Sequence, residues 1–499
     1  MKITIKKWPL LVSAPLLYVL ASGVGQGEKK TTFVSSAHAD APPTFAKDIA
    51  PILFENCANC HRPGEVAPFS LLSYDDAKKR ARLIADVTEQ RLMPPWHADE
   101  GKEKFRDAHV LSTEQIAALR KWAEAGTPQG NPKDTPPVPK FAEGWQRGEP
   151  DFIADPGEDY TLEAEGRDVY RCFVVKTNFP EDRYVSAIEV RPGNRKVVHH
   201  LIAYLDTSGR ARQLDDKDPG PGYLSFGGPG FTPNGALGGW APGNQSHPTP
   251  AGVGWLLPKG ADIILQVHYN KSGKVETDRT RMGLHFVDGP VDKRVRWLTV
   301  VNPIFRLPAG EANHVVRAVQ VMPVDGTVYA VMPHMHLLGK TADVTATLPD
   351  GTKKKIVSVP RWDFNWQQTY AFNEPLQLPA GTRIDLVMRY DNSAANPRNP
   401  SDPPRPVTWG EQTTDEMCLA FLVYTPNDEF LTQGKSVGRL PGDFGGGGEG
   451  GAPGGQQIGA FLKQMLKQFD KDGDGKLSPA EREEAWKYAQ QIIGGAKEN

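Results

Sequence analysis

Hydrophobic periodicity changes abruptly at a proline-rich stretch, residues 131–140. Ahead of it, apolar residues recur at helical spacing. Residues 48–56 read as one helix, and residues 75–91 as another, with Ala77, Ala81, Ile84, Ala85 and Val87 on one face. Ser112 with Gln115 three positions on is a capping box, which starts a helix that runs to Ala125 and stops at Gly126-Thr127-Pro128. From residue 151 to about 425, short β-branched and aromatic runs alternate with turn residues, most clearly at 263–269, 327–332, 383–390 and 418–424. The 50 glycines and 44 prolines supply the turns such a region needs. The pattern predicts a multidomain chain. A small all-α domain covers 44–130 and a linker covers 131–150. Two tandem antiparallel, jelly-roll-like β-sandwiches follow over 151–295 and 296–430, with their boundary near 290–303. A glycine-rich linker, 431–457, leads to a helix-loop-helix segment, 458–495.

Lys2, Lys6 and Lys7 precede an uncharged stretch, 8–26, and Ala37-His38-Ala39 offers small residues to a signal peptidase. Residues 1–39 therefore read as a signal peptide cleaved before Asp40, with retention as an N-terminal anchor the open alternative. No other stretch is long and apolar enough to span a bilayer. The expected location is periplasmic or secreted, with membrane association only if the first segment is retained. A formal net charge of −2 gives no electrostatic reason to expect nucleic acid as a partner.

Cys57-Ala58-Asn59-Cys60-His61 places two thiols three positions apart, where they can take up the two vinyl groups of one haem, with the histidine under the iron. No second cysteine pair exists to complete a tetrahedral zinc site. The sixth iron ligand is expected from Met93 in Leu92-Met93-Pro94-Pro95-Trp96. The prolines remove helical hydrogen bonds and let the loop turn a thioether inward. His97 and His109 are rivals, and core packing is the plain alternative for Met93. This segment resembles a class I type cytochrome c domain carrying haem c. The other two cysteines, Cys172 and Cys418, either pair in an oxidising compartment or stay as buried thiols.

Near the C-terminus, Asp470, Asp472, Asp474, the carbonyl of Lys476, Ser478 and Glu481 occupy the positions of an EF-hand loop, and Gly475 permits its turn. Phe461, Leu462, Met465, Leu466 and Phe469 form the apolar face of the entering helix. Calcium is the expected ion, in a structural or docking role because only one loop is evident; an acidic solvated loop is the alternative.

His334 and His336 alternate about Met335, so on a strand both imidazoles share a face. Imidazoles with a thioether accept both Cu(II) and Cu(I), and Met417 can supply the sulfur, although packing is the commoner fate of such a methionine. His199 and His200 are adjacent. A regular strand would point them apart, so joint binding of one ion demands a bulge or a strand end. His268 would complete three nitrogens. Singly, each histidine is an ordinary core or surface residue; together, in two sandwich-like regions, they point to metal.

Over roughly residues 168–426 the chain resembles the copper type II, ascorbate-dependent monooxygenases, which include peptidylglycine α-hydroxylating and dopamine β-monooxygenases. The likeness rests on Val197-Val198-His199-His200, Leu257-Pro258-Lys259-Gly260 ahead of Gln266-Val267-His268-Tyr269, His334-Met335-His336-Leu337-Leu338-Gly339-Lys340 and Met417-Cys418. The resemblance implies two copper ions. His199, His200 and His268 look like ligands of an electron-transferring copper in the first sandwich. His334, His336 and Met417 look like ligands of a copper that binds oxygen and substrate in the second, across a solvent-filled cleft. It implies insertion of one oxygen atom from dioxygen into a C–H bond. Two departures shape the expectation. Where the peptide-amidating enzymes hold a substrate carboxylate, this chain has Met332, Leu419 and Phe421. Desolvating a carboxylate there without a partner is costly, so a small, apolar organic substrate is expected instead of peptidyl-glycine. The fused haem is the expected immediate electron donor, itself reduced by an exported donor. The expectation is thus an exported copper-dependent monooxygenase fed through a c-type haem; the alternative is a non-catalytic haem and copper electron-transfer or copper-binding protein.

Overall fold

The computed structural model describes residues 41–440 except 100, 102–103, 143, 243, 245, 411 and 439, together with Lys471. The signal-type segment and the loop residues Asp470, Asp472, Asp474, Lys476, Ser478 and Glu481 lie outside the described residues, as does most of the glycine-rich stretch. Among the described residues no helix is long and apolar enough to cross a membrane.

The N-terminal part is helical. A π-helical turn, Phe45–Ile49, runs into α1, Ala50–Asn56. The expected helix over 75–91 is two helices, α2 (Tyr74–Lys78) and α3 (Ala81–Glu89). The chain breaks at Arg80, whose φ of −122° and ψ of 11° leave the helical region. There its guanidinium lies 4.3 Å over the Phe69 ring. The break lets Ala77, Ala81 and Ile84 face one core with Leu53, Leu119 and Trp122. α4, Thr113–Glu124, begins at the expected capping box, with Gln115 N–H donating to Ser112 Oγ (3.2 Å) and Ser112 N–H donating to Gln115 Oε1 (2.9 Å).

The rest is mostly strand, arranged as two pairs of facing sheets. In the first pair, one sheet runs Tyr223–Leu224, Val169–Lys176, Asp262–Tyr269, Val198–Asp206, Gly235–Trp240. The other runs Phe152–Ala154, Arg281–Phe286, Arg183–Arg191, Val253–Leu257, Lys293–Arg294. Phe173, Leu201 and Leu265 from one sheet meet Val185, Leu257 and Leu284 from the other in a shared core, as inward faces of a sandwich do. Asp262–Tyr269 is buried at every position because its other face packs on Tyr204, Tyr223 and Phe231.

The second pair comprises Arg296–Val301, Leu419–Pro426, Gly326–His334, Tyr370–Leu378 against His314–Val321, Arg383–Tyr390, Gly339–Thr347, Lys353–Val359. Arg383–Tyr390 alternates buried with exposed or half-buried positions, the period of a strand with one face in the core. Lys293–Arg294 still pairs with the first pair of sheets, and Arg296–Val301 already pairs with the second, so Val295 alone separates them.

The segment between α3 and α4 is built into the second pair of sheets. Phe105 bridges to Phe372 on the edge strand Tyr370–Leu378, Arg106 N–H donates to the Ala371 carbonyl (2.8 Å), and Asn373 N–H donates to the Lys104 carbonyl (2.9 Å). Ala98, Phe105 and Ala108 enter its core. On the other side Glu65 pairs with Arg195 of the first pair of sheets at 2.8 Å. The helical part is therefore wedged against both, which fixes where its cysteines face.

Candidate metal centres

His200 and His268 are register partners on neighbouring antiparallel strands, and the register shifts between Val198 and His200. The extra residue is His199. A bulge of this kind turns two adjacent side chains towards the same side. The Nδ1 atoms of His199 and His200 approach to 3.2 Å, and those of His268 and His200 to 3.4 Å. Nitrogen ligands about 2.0–2.1 Å from a tetrahedral ion lie roughly 3.3–3.4 Å from one another. The cluster therefore has the dimensions of a three-nitrogen site built from Nδ1 atoms. The opposite nitrogen of His268, Nε2, donates to Asp168 Oδ2 at 3.1 Å, which leaves the Nδ1 lone pair free for an ion. Burial pushes Asp168 up, but the bonds from His268 and Thr413 hold it below the ordinary carboxylate range. Tyr170, opposite His268 in register, stacks on its ring at 4.1 Å and 11°. Desolvation drives His199 down to about 3 and His200 well below its ordinary value, so both stay neutral and able to ligate.

The second cluster uses the other ring nitrogens. His334 ends the strand Gly326–His334 and His336 follows two residues on, with ring centroids 5.1 Å apart at 88°. His334 Nδ1 donates to Gln367 Oε1 (2.7 Å), and His336 Nδ1 donates to the Asp415 carbonyl (3.2 Å). Each bond needs its proton on Nδ1, so each Nε2 carries the lone pair. Burial holds His334 at about 4 and His336 at about 3. Met335, between them, is fully buried in the core. One oxygen of Glu416 accepts the backbone N–H of His336 (2.8 Å) and of Met417 (3.2 Å), while the other accepts Leu338 N–H (2.6 Å). Burial pushes this carboxyl up to about 8, against those bonds. A single side chain thus pins the backbones of the histidine and the methionine.

Two contacts join the clusters. The Phe364 ring stacks on His199 at 4.9 Å and 17° and meets His336 edge-on at 5.8 Å and 86°. Thr413 Oγ1 donates to Asp168 Oδ2 at 2.7 Å, the same oxygen that receives His268 Nε2. Phe364 sits in a loop held by Trp362 Nε1 donating to the His336 carbonyl (3.1 Å) and Gln367 Nε2 donating to the Phe364 carbonyl (3.1 Å). None of Asp168, Phe364, Gln367, Thr413 and Glu416 was singled out from sequence. Only Glu416 carried a local signal, a carboxylate directly ahead of an apolar strand, Met417-Cys418-Leu419-Ala420-Phe421.

In the helical part, Cys57 lies at the C-terminal end of α1, and His61 N–H donates to the Cys57 carbonyl at 2.9 Å. His61 Nδ1 donates to the Phe69 carbonyl at 3.1 Å, which leaves Nε2 for a metal. Cys57 and Cys60 are unpaired thiols, and burial pushes Cys57 up to about 12. Cys57, Cys60, His61, Met93 and His109 line a cavity of about 940 Å³. His200, His334, His336 and Met417 line the same cavity. His97 does not; it is buried, with neither ring nitrogen hydrogen bonded. Cys172 and Cys418 are unpaired and lie in the cores of different sheet pairs.

Met332, Leu419 and Phe421 also line the cavity, with Met332 opposite Phe421 and His334 opposite Leu419 in register. Trp297 meets Phe421 edge-on at 5.8 Å and tilts against Trp255 at 5.1 Å. The wall beside the second cluster is apolar and aromatic.

Residues 314–436 match the family model described as copper type II ascorbate-dependent monooxygenase, C-terminal domain. His334, His336 and Met417 fall inside that match. The chain is 24% identical over 292 residues to DBH-like monooxygenase protein 1 of Mus musculus, covering 52% of this chain and 44% of that protein. It is 23% identical over 283 residues to the Homo sapiens protein of the same name, with the same coverage. It thus spans less than half the length of these curated relatives. Among solved structures, the major capsid protein P2 from bacteriophage PM2 aligns over 55% of this chain and 100% of that one, at 10% identity and a TM-score of 0.20, too distant to inform the fold. The matched segment is thus similar to the C-terminal domain of copper type II monooxygenases.

Proposed function

We propose that the protein is an exported copper-dependent monooxygenase that hydroxylates a C–H bond of a small, apolar substrate, fed by a covalently held haem. The observation that carries this reading is the pair of imidazole clusters, one presenting Nδ1 and the other Nε2, with His200 of the first and His334, His336 and Met417 of the second lining one cavity. His199, His200 and His268 would hold one copper; His334, His336 and Met417 would hold the other. Copper bound there supplies one-electron redox chemistry and a place for dioxygen. The net reaction consumes a C–H bond, dioxygen, two electrons and two protons, and gives an alcohol and water.

The chain's own residues do the rest. Asp168 fixes the tautomer of His268, and Gln367 and the Asp415 carbonyl fix those of His334 and His336. Glu416 holds the strand end and Met417 together. Met332, Leu419, Phe421 and Trp297 present an apolar wall that excludes water and rejects a charged substrate. Cys57, Cys60 and His61, with Met93 as the sixth ligand, would hold haem c, which supplies electrons singly. Asp470, Asp472, Asp474, Lys476, Ser478 and Glu481 would bind calcium. Residues 1–39 would direct export.

The test is oxygen uptake by protein matured in a host that attaches c-type haem and then loaded with copper. Two coppers per haem and substrate-dependent uptake, lost in Met417→Ala, are expected. Two coppers per haem with no uptake on any apolar substrate would favour a non-catalytic electron-transfer protein.

A further inference from the structure

The two clusters are linked by protein along two short routes, and both end on His336. In the first, His268 Nε2 donates to Asp168 Oδ2 (3.1 Å) and Thr413 Oγ1 donates to the same oxygen (2.7 Å). The backbone from Thr413 leads to Asp415, whose carbonyl accepts from His336 Nδ1 (3.2 Å). In the second, the Phe364 ring touches His199 on one side and His336 on the other. His334 is not on either route. Its Nδ1 is held by Gln367 instead.

The first route joins residues on different sheet pairs. Asp168 directly precedes the strand Val169–Lys176, and Thr413 belongs to the loop that leads to Met417. His268 Nε2 and Thr413 Oγ1 both donate to Asp168 Oδ2, so one carboxylate oxygen serves both sides. Electron transfer falls off exponentially with distance and falls faster across open water than through bonds and packed rings. Three hydrogen bonds with a short backbone run, and in parallel two ring contacts, give an electron a bonded and packed path between the clusters.

We propose that Asp168, Thr413 and Phe364 form the electron bridge between the two centres, which holds them in contact while keeping them mononuclear. This rests on the copper reading given above. Copper held by His199, His200 and His268 would give up one electron and copper held by His334, His336 and Met417 would take it up, so the electrons balance and no proton needs to cross. Phe364 is a spacer as well as a conduit, because its ring lies between His199 and His336. All three are positioning residues.

The experiment uses full-length, haem-loaded protein carrying two copper(II) ions per chain, verified by metal analysis. Half an equivalent of hexaammineruthenium(II) is mixed in without oxygen, and freeze-quench electron paramagnetic resonance follows the three-nitrogen and the two-nitrogen, one-sulfur copper(II) signals until their ratio is constant. Wild type is expected to equilibrate at a rate the freeze-quench series resolves. Because the routes run in parallel, Thr413→Val and Phe364→Leu should each slow equilibration by no more than about threefold and the double variant by at least about tenfold, with hyperfine couplings and copper content unchanged. The double variant Thr413→Ser with Phe364→Tyr, which keeps the donor and the ring, should stay within about twofold of wild type. A double variant that equilibrates as fast as wild type while holding two coppers overturns the bridge and leaves the copper reading intact. A wild type that binds fewer than two coppers overturns both.

Discussion

The Nδ1 atoms of His200 and His268 lie 3.4 Å apart across two paired strands, and the bulge at His199 brings a third nitrogen to within 3.2 Å of His200. Removing His268 leaves two nitrogens and an Asp168 carboxylate without its ring partner. On the two-copper reading proposed above, His268→Ala should lose one copper per chain and keep the other. Metal analysis with the resonance signal of the surviving site checks this, and loss of both ions would mean that the sites are not independent.

Glu416 uses both oxygens to accept three backbone N–H groups. Above pH about 8, where Glu416 is ionised, Glu416→Gln turns one of these acceptors into an amide donor facing an N–H. The expected penalty is about 1–3 kcal/mol, read as a lower midpoint in urea. Copper binding at His334, His336 and Met417, on the function proposed above, should weaken at the same time, because the backbones of His336 and Met417 are no longer pinned.

Glu429 is fully buried, and its carboxylate accepts from Arg294 N–H (2.7 Å), Arg294 Nε (3.0 Å) and Arg296 Nη2 (3.3 Å). Burial pushes its pKa up, but the arginines hold it below the ordinary carboxylate range. A carboxylate depressed in the folded state binds its proton more readily when unfolded. Its contribution is therefore complete above pH about 4.3 and is lost as the pH falls through the folded value. Thermal melts between pH 3 and 7 should show this acid limb, and Glu429→Gln should flatten it while costing about 3 kcal/mol at neutral pH.

Phe421 and Met332 face each other at the apolar wall. Phe421→Ala should weaken binding of an apolar ligand by roughly 10- to 100-fold, in line with about 1.5–3 kcal/mol for one buried aromatic side chain. Met332→Arg should bring carboxylate binding that wild type lacks. Calorimetry with matched neutral and carboxylate ligands separates the two outcomes.

Met93 lines the cavity with His61, whereas His97 is buried elsewhere with both ring nitrogens unpartnered. In haem-loaded protein Met93→Ala should open the sixth position to added imidazole. His97→Leu should leave the optical spectrum unchanged and be neutral or stabilising by about 1 kcal/mol, because it removes unsatisfied buried polar atoms. A spectrum altered by His97→Leu and not by Met93→Ala would reverse the assignment.

Local pattern was enough to read several parts of this chain. The capping box of Ser112 and Gln115, the alternation along Arg383–Tyr390 and the need for a bulge at His199-His200 each depend on residues within a few positions, where backbone geometry fixes which side chains meet. The break at Arg80 was not legible in the same way. It follows from a ring eleven positions away and from a core shared by four helices.

The arrangement of the centres belongs to the tertiary structure. Asp168 meets Thr413 across 245 positions of chain, and Phe364 meets His199 from the other pair of sheets. Residues 95–110, which look like a connection between helices, are drawn into the second core because Phe105 finds Phe372 and Tyr370 there, at 5.4 and 5.5 Å. Donor atoms of the right kind are written in the amino-acid order. Which nitrogen of each ring faces an ion depends on what the other nitrogen bonds, and those partners arrive only when distant strands and loops pack together.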